Sequence, residues 1–263
     1  MPELPEVEAA RRMAEGVLLR RRIAAAAARE DRVVFEGVSP RRVAAALRGR
    51  RVEALRRKGK HLWIELDRRP WPLLHFGMTG WLYVYERPSE RPKHWRLELT
   101  VEDGRRLCFS DPRRFGRVRL QHDPVNEPPL RDLGFDVLEG LPAAPLLGAT
   151  LARRRAPIKA VLLDQSLFAG VGNWIADEAL YQAGLSPRRP ASSLSAAEVA
   201  RLRTKLLAVV RRAVAVEANS DRFPRAWLFH RRWDVRPPEG APELIVRETI
   251  GGRTSAWVPA RQK

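Results

Sequence analysis

The chain has 263 residues, 49 of them Lys or Arg against 31 Asp or Glu, for a formal charge of +18. That length supports a well-buried core and favours two compact units, while the basic excess points to a polyanionic partner, nucleic acid first; an arginine-rich proteome would raise the same count. No apolar run reaches the roughly 18 residues of a membrane span, and the start lacks the regions of a signal peptide, so an intracellular protein without a membrane partner is expected.

In chain order, Leu4, Val7, Ala10 and Ala14 follow helical spacing. Strand-like runs then recur to about residue 120, at 52–55, 61–66, 81–85 and 95–101, the last in strict alternation, with Arg87-Pro88 and Asp103-Gly104 as turn signals between them. The alanine run 24–28 reads as a low-complexity tract, and the single cysteine, Cys108, reads as a buried strand residue that excludes a disulfide or a multi-cysteine zinc site. These patterns predict one helix followed by an antiparallel sandwich over 1–122, with 122–129, rich in Pro, Asp and Asn, as a linker.

A helical region follows over 123–218. Asn173 reads as an N-cap, with Asp177 and Glu178 early in its helix and Gly184 and Pro187 as its stop. Ser195 and Glu198 form a capping box ahead of a long helix through Val199, Leu202, Leu206, Val209, Val210 and Ala213. In the last part, 219–263, the runs 244–250 and 254–258 flank Gly251-Gly252, a hairpin signal. The fold class expected is α+β.

The chain opens Met1-Pro2-Glu3-Leu4-Pro5-Glu6-Val7-Glu8. A small second residue allows removal of Met1, leaving Pro2 as a secondary amine that titrates near ~8 and is partly unprotonated at neutral pH. Such an amine can attack a sugar C1′ to form an iminium, and Glu3 and Glu6 offer carboxyls to move protons or position water. Taken alone, the segment reads first as a proline-initiated helix whose glutamates complement the dipole. Only six lysines occur, at 58, 60, 93, 159, 205 and 263. Lysine kept where arginine is the habit draws attention to Lys60 and Lys159.

The terminus resembles the start of the formamidopyrimidine-DNA glycosylase/endonuclease VIII family, and further segments agree in order. Lys58-Gly59-Lys60-His61 is similar to the family's lysine hairpin, His75-Phe76-Gly77-Met78-Thr79-Gly80 to its H-x-G-M-[ST]-G turn, and Asp111 through Gly116 to its D-x-R-[RK]-F-G loop. Ile158-Lys159 to Gln165, with Gly170-Val171-Gly172-Asn173, resembles its helix-two-turn-helix signature, and Gly251-Gly252-Arg253-Thr254 its terminal hairpin.

The resemblance implies a bifunctional glycosylase and abasic-site lyase of base excision repair, with catalytic Pro2, Glu3, Glu6, Lys60 and Arg253. Pro2 would be the nucleophile, Glu3 would supply a proton, and Lys60 and Arg253 would aid β- and δ-elimination. Met78, Arg113 and Phe115 would fill the gap left by an extruded base. Lys159 and Asn173, at a helix N-terminus suited to anions, would hold phosphates with Arg253. His75, His94 and Arg155 would be further DNA contacts. The implied partner is double-stranded DNA with oxidised bases or abasic sites, bound by a monomer without cofactor. A non-catalytic damaged-DNA-binding protein is the rival from the same charge and clamp.

One departure stands out. Most members close the terminal hairpin on zinc held by four cysteines, whereas here the last ligand positions read Val258-Pro259-Ala260-Arg261, so no metal is expected there. The chain resembles the zincless branch of plants and fungi, with Trp227, Phe229, Trp233 and Trp257 as candidates for an apolar substitute. The segment 217–230 is shorter than the loop covering extruded 8-oxoguanine in zinc-bearing members, which implies formamidopyrimidines, oxidised pyrimidines or hydantoins as better substrates.

Overall fold

The structure is a computed structural model that describes residues 2–233 and 244–263. Two compact units divide it: Met1–Pro2 with Glu6–Asp132, and Glu3–Pro5 with Leu133–Lys263.

The first unit holds α1 (Leu4–Leu18), β1 (Ile23–Ala28), α2 (Pro40–Leu47), β2 (Val52–Lys58), β3 (His61–Leu66), β4 (Trp71–His75), β5 (Trp81–Tyr85), β6 (Trp95–Val101), β7 (Arg106–Ser110) and β8 (Arg117–Gln121). The strands form two antiparallel four-stranded sheets, β1-β6-β7-β5 and β2-β3-β4-β8. Leu62, Ile64 and Leu74 of one sheet meet Leu82, Leu97, Leu99, Leu107 and Phe109 of the other, which is the sandwich core. Val7, Ala10 and Ala14 of α1 are fully buried beside it, as the helical spacing predicts, and Cys108 lies buried in β7.

Four expectations need correction. A second helix, α2, is present: Ser39 caps it by accepting from the N–H of Arg42 at 3.3 Å, Pro40 opens it, and Val43 and Leu47 bury its inner face. The alanine run 24–28 is strand β1. Alanine has little β preference of its own, and the ladder to β6, from Ala25 opposite Thr100 to Ala28 opposite Leu97, decides its state. Nor does β6 alternate in burial, because Arg96 and Glu98 are buried as well. Arg96 donates to the Asp111 carbonyl, and Glu98 accepts from Arg91, Arg106 and Tyr85. The stretch read as a linker is fastened to this unit, Gln121 donating to the Pro128 carbonyl at 2.5 Å and Lys58 to that of Leu130 at 3.0 Å.

The second unit holds β9 (Phe135–Asp136), α3 (Ala144–Leu151), α4 (Ile158–Leu163), β10 (Phe168–Ala169), α5 (Asn173–Ala183), α6 (Ala196–Ala215), β11 (Val246–Ile250) and β12 (Arg253–Trp257). Its core joins Ile158 and Leu162 of α4, Ile175, Ala176 and Ala179 of α5, and Leu202, Leu206, Val209 and Val210 of α6. The capping box forms as read: Glu198 N–H donates to Ser195 Oγ at 3.3 Å, and Ser195 N–H to Glu198 Oε2 at 2.8 Å. Gly184 ends α5 at φ 68°, and Gly251 and Gly252, at φ 60° and 74°, close the β11–β12 hairpin. Among the described residues, no helix is long and apolar enough to cross a membrane.

Candidate nucleic-acid interface and catalytic residues

In the first unit, strand register gathers the candidate residues at one end of a sheet. β2 and β3 pair with Lys58 opposite His61 and close on Gly59-Lys60, Gly59 at φ 57°. His61 lies opposite His75 on β4, and His75 opposite Arg117 on β8. The Lys60 turn, the 76–80 loop after β4 and the 111–116 loop before β8 therefore leave from the same end. Arg57 braces the first of these, its Nη1 donating to the Gly59 carbonyl at 3.1 Å and its Nε to Glu8 of α1 at 3.3 Å. The Asp111 N–H donates to the His94 carbonyl at 3.0 Å, bringing His94 to this end as well.

Met78 and Phe115 are 37% and 45% exposed, which sets them apart from the buried apolar residues around them. The Arg113 guanidinium lies 4.8 Å above the Phe115 ring, within range of a cation–π contact. The two loops touch so closely that a Cβ on Gly77 would stand 2.4 Å from the Phe115 carbonyl carbon. Asp111 closes the second loop from inside, its Oδ2 accepting from Gly116 N–H at 2.7 Å and its Oδ1 from Thr79 Oγ1 at 2.6 Å.

Burial, helped by nearby positive charge, pulls His61 down to about 3 and His75 down to about 4. Both rings are neutral at neutral pH. Because His75 Nδ1 accepts from the Gly77 N–H at 3.2 Å, its proton sits on Nε2, leaving that nitrogen as a donor. Pro2 is half-buried just ahead of α1, and Glu6 is half-buried in its first turn. Removal of Met1 concerns a residue outside the described ones.

In the second unit the helix N-terminus already has its anion. The N-cap of α5 is Gly172 rather than Asn173, which is the first helical residue. The Trp174 and Ile175 N–H groups donate to the two carboxylate oxygens of Glu3, at 2.9 and 3.2 Å. The expectation of open N–H groups for phosphate is corrected accordingly: a carboxylate far away in sequence occupies them, and Glu3 is 2% exposed. Gly172 allows this approach, since a Cβ there would lie 2.1 Å from Glu3 Cδ.

Lys159 requires a second correction. Its side chain is fully buried and ion-paired with Asp177, so it does not face solvent as a phosphate ligand. Arg155, just ahead of α4, and Arg253, at the start of β12, are exposed. Asn173 Nδ2 donates to the Thr254 carbonyl at 2.9 Å, and Gly251 is packed so tightly on α4 that a Cβ would stand 2.7 Å from Ala160 Cβ. The turn that carries Arg253 is thus fixed against the starts of α4 and α5.

The zincless hairpin is anchored differently from the aromatic substitute expected. Asp177 pairs with Lys159 and Arg232, and its Oδ2 also accepts from Ala256 N–H of β12 at 3.3 Å. Tyr181, Leu228 and Val258 form a small apolar cluster beside it. Trp227 and Phe229 instead pack with Phe223 on Trp174, and Trp233 is 67% exposed. Only Trp257 of the four is a buried hairpin residue, its Nε1 donating to Glu248 at 2.7 Å. Asp177 escaped the sequence reading because an acid early in a helix reads as a dipole partner, and nothing local marks it as buried. Among the described residues, no group of His, Cys, Asp and Glu could hold a metal ion.

A β-sandwich unit with exposed apolar and cationic loops at one end, followed by a helical unit with a terminal hairpin, defines a two-unit α+β protein. Models of the formamidopyrimidine-DNA glycosylase N-terminal domain and H2TH domain match residues 1–118 and 133–224. The formamidopyrimidine-DNA glycosylase of Arabidopsis thaliana is 40% identical over 278 residues, covering 100% of this chain and 71% of its own. That of Paracoccus denitrificans is 38% identical over 100% of both chains. Among solved structures, a Lactococcus lactis FPG mutant complexed with Fapy-dG-containing DNA matches with TM-score 0.86 at 24% identity over 100% of both chains, which speaks for the fold. The chain belongs to the formamidopyrimidine-DNA glycosylase family.

Proposed function

We propose that this protein is a bifunctional DNA glycosylase and abasic-site lyase of base excision repair, acting on oxidised bases in double-stranded DNA. In this reading a damaged base is extruded and Met78, Arg113 and Phe115 occupy the gap. The lone pair of the Pro2 nitrogen attacks C1′, and the proton that the nitrogen gives up passes to the Glu3 carboxylate, which supplies it to open the sugar ring or assist base departure, so that an iminium forms. Loss of a C2′ proton then breaks the C3′–O bond, and a second elimination breaks the C5′–O bond. Lys60 aids the first step and Arg253 the second. Glu6, His75, His94, Arg155 and Asn173 serve positioning and backbone contacts, and Lys159 acts from below through Asp177. Hydrolysis of the iminium returns Pro2.

The observation behind this reading is the placement of Glu3, one peptide bond from Pro2, on two N–H groups of α5. Its test is borohydride trapping on an abasic duplex with protein of verified mass lacking Met1. A covalent adduct is expected, and Pro2→Gly should reduce it by about a thousandfold or more. If the protein binds the duplex but yields no adduct, the rival reading of a non-catalytic damaged-DNA-binding protein stands.

Formamidopyrimidines, oxidised pyrimidines and hydantoins are the favoured substrates in this reading, because the segment 217–230 is committed to packing Phe223, Trp227 and Phe229 on Trp174. Single-turnover excision across these lesions checks the preference, which fails if 8-oxoguanine opposite cytosine is released fastest.

A further inference from the structure

The 111–116 loop carries a non-glycine residue in a conformation that glycine normally occupies: Arg114, at φ 60°. Nothing in the order Arg113-Arg114-Phe115 asks for it. Its effect is to turn the chain so that Arg113 and Phe115 project together, ring under guanidinium, while the half-exposed Arg114 side chain folds back along the protein surface. There it meets Asp31, which is 6% exposed and lies in the connection after β1, 83 residues away. Arg114 Nε donates to Asp31 Oδ2 at 2.9 Å and Nη2 to Oδ1 at 3.2 Å, the two-pronged geometry that fixes direction as well as distance.

Asp31 is itself held from three sides. Its Oδ1 accepts from the N–H groups of Val33 and Val34 at 3.0 and 3.1 Å. Arg96 Nη1 lies 3.3 Å from Oδ2, and the same guanidinium donates through Nε and Nη2 to the Asp111 carbonyl at 3.2 and 3.0 Å. One buried carboxylate thus ties down the loop at its start, through Arg96, and at its strained middle, through Arg114. For folding alone the arrangement contributes little, since a half-exposed pair such as Arg114–Asp31 is weakened by solvent screening and a buried one such as Arg96–Asp31 stabilises little compared with apolar packing of the same volume. Its benefit is a defined orientation of two exposed side chains, added to the backbone closure of the loop on Asp111.

We propose that Asp31 is the positioning residue of the gap-filling loop, setting Arg113 and Phe115 through its hold on Arg114 and Arg96. The inference rests on the reading that this loop enters the duplex when a base is extruded. Asp31 touches no reacting atom; it acts by keeping the wedge preorganised, so that insertion does not have to order the loop first.

The test uses the whole protein and a duplex with 2-aminopurine opposite a stable tetrahydrofuran abasic analogue, at saturating protein. Insertion beside the unpaired base unstacks it, and fluorescence rises. Asp31→Asn is expected to lose most of that rise and to slow single-turnover excision of a formamidopyrimidine by about ten- to a hundredfold. Arg114→Gly, which adopts the same backbone turn without strain, keeps the comparison open should Asp31→Asn fold poorly, and should give the same losses. Arg113→Ala and Phe115→Ala serve as controls. If they also lack the rise while Asp31→Asn and Arg114→Gly keep it, the positioning role of Asp31 is overturned. If the controls behave as wild type, the loop does not fill the gap, and that part of the proposed function fails separately.

Discussion

Gly172→Ala should cost about a hundredfold or more in single-turnover excision, although the added methyl touches no DNA. The backbone there, at φ −126° and ψ −162°, is extended and open to any residue, so conformation does not demand glycine. Contact does: a Cβ would lie 2.1 Å from Glu3 Cδ, 2.3 Å from Oε1 and 2.5 Å from Cγ. Glu3 cannot step aside without giving up the Trp174 and Ile175 N–H groups, and it is followed by Leu4, whose N–H donates to the Gly170 carbonyl at 3.1 Å. The methyl must therefore push the carboxylate off its seat and disturb Pro2 with it. Overpacking of this kind costs about 1–3 kcal/mol in stability, too little to unfold the unit, so circular dichroism should be unchanged. On a Glu3→Ala background the three atoms nearest the methyl are gone, and the additional loss should vanish in a double-mutant cycle. A Gly172→Ala protein as fast as wild type would show that the seat of Glu3 has no part in the chemistry.

What could be read beforehand tracks how local each cause is. The strands 61–66, 81–85 and 95–101 announce themselves because runs of large apolar and aromatic residues end at turn residues, and the Gly251-Gly252 hairpin because its φ angles require glycine. β1 was hidden because five alanines express no preference, and its partner β6 decides the matter from some 70 positions away. The site divides the same way. Exposed Met78, Arg113 and Phe115 follow from motifs that each sit within one loop. The burial of Lys159 is not legible because it depends on Asp177 and Arg232, nor is the occupation of the helix N-terminus, because its anion arrives from residue 3. Asp31 left no signal at all, since an aspartate in a loop between charged residues looks like solvent-facing surface.

Asp177→Asn is expected to have the largest effect on stability. The carboxylate is 2% exposed, and it faces Lys159, which is fully buried, and Arg232, which is 4% exposed. An amide of the same shape can still accept from one of them, but its NH₂ confronts the other, and two buried cations lose their counter-charge. Breaking such a pair costs about 3–5 kcal/mol, which for a chain of this length lowers the melting temperature by roughly 10 °C. The deficit should depend on pH in a definite direction. Burial already draws Lys159 below 10.5 against the attraction of Asp177, and removing that attraction draws it lower still. A base depressed on folding gains stability as pH rises towards its unfolded value, so the deficit of Asp177→Asn should narrow between pH 7 and about 10. The consequence for function runs through β12, where Ala256 N–H loses its acceptor three residues beyond Arg253. With the hairpin loosened, δ-elimination should fall relative to β-elimination, read on a gel as fewer 3′-phosphate ends and more unsaturated-sugar ends from the same abasic strand. Equal melting temperatures and an unchanged product ratio would mean that the hairpin is anchored elsewhere.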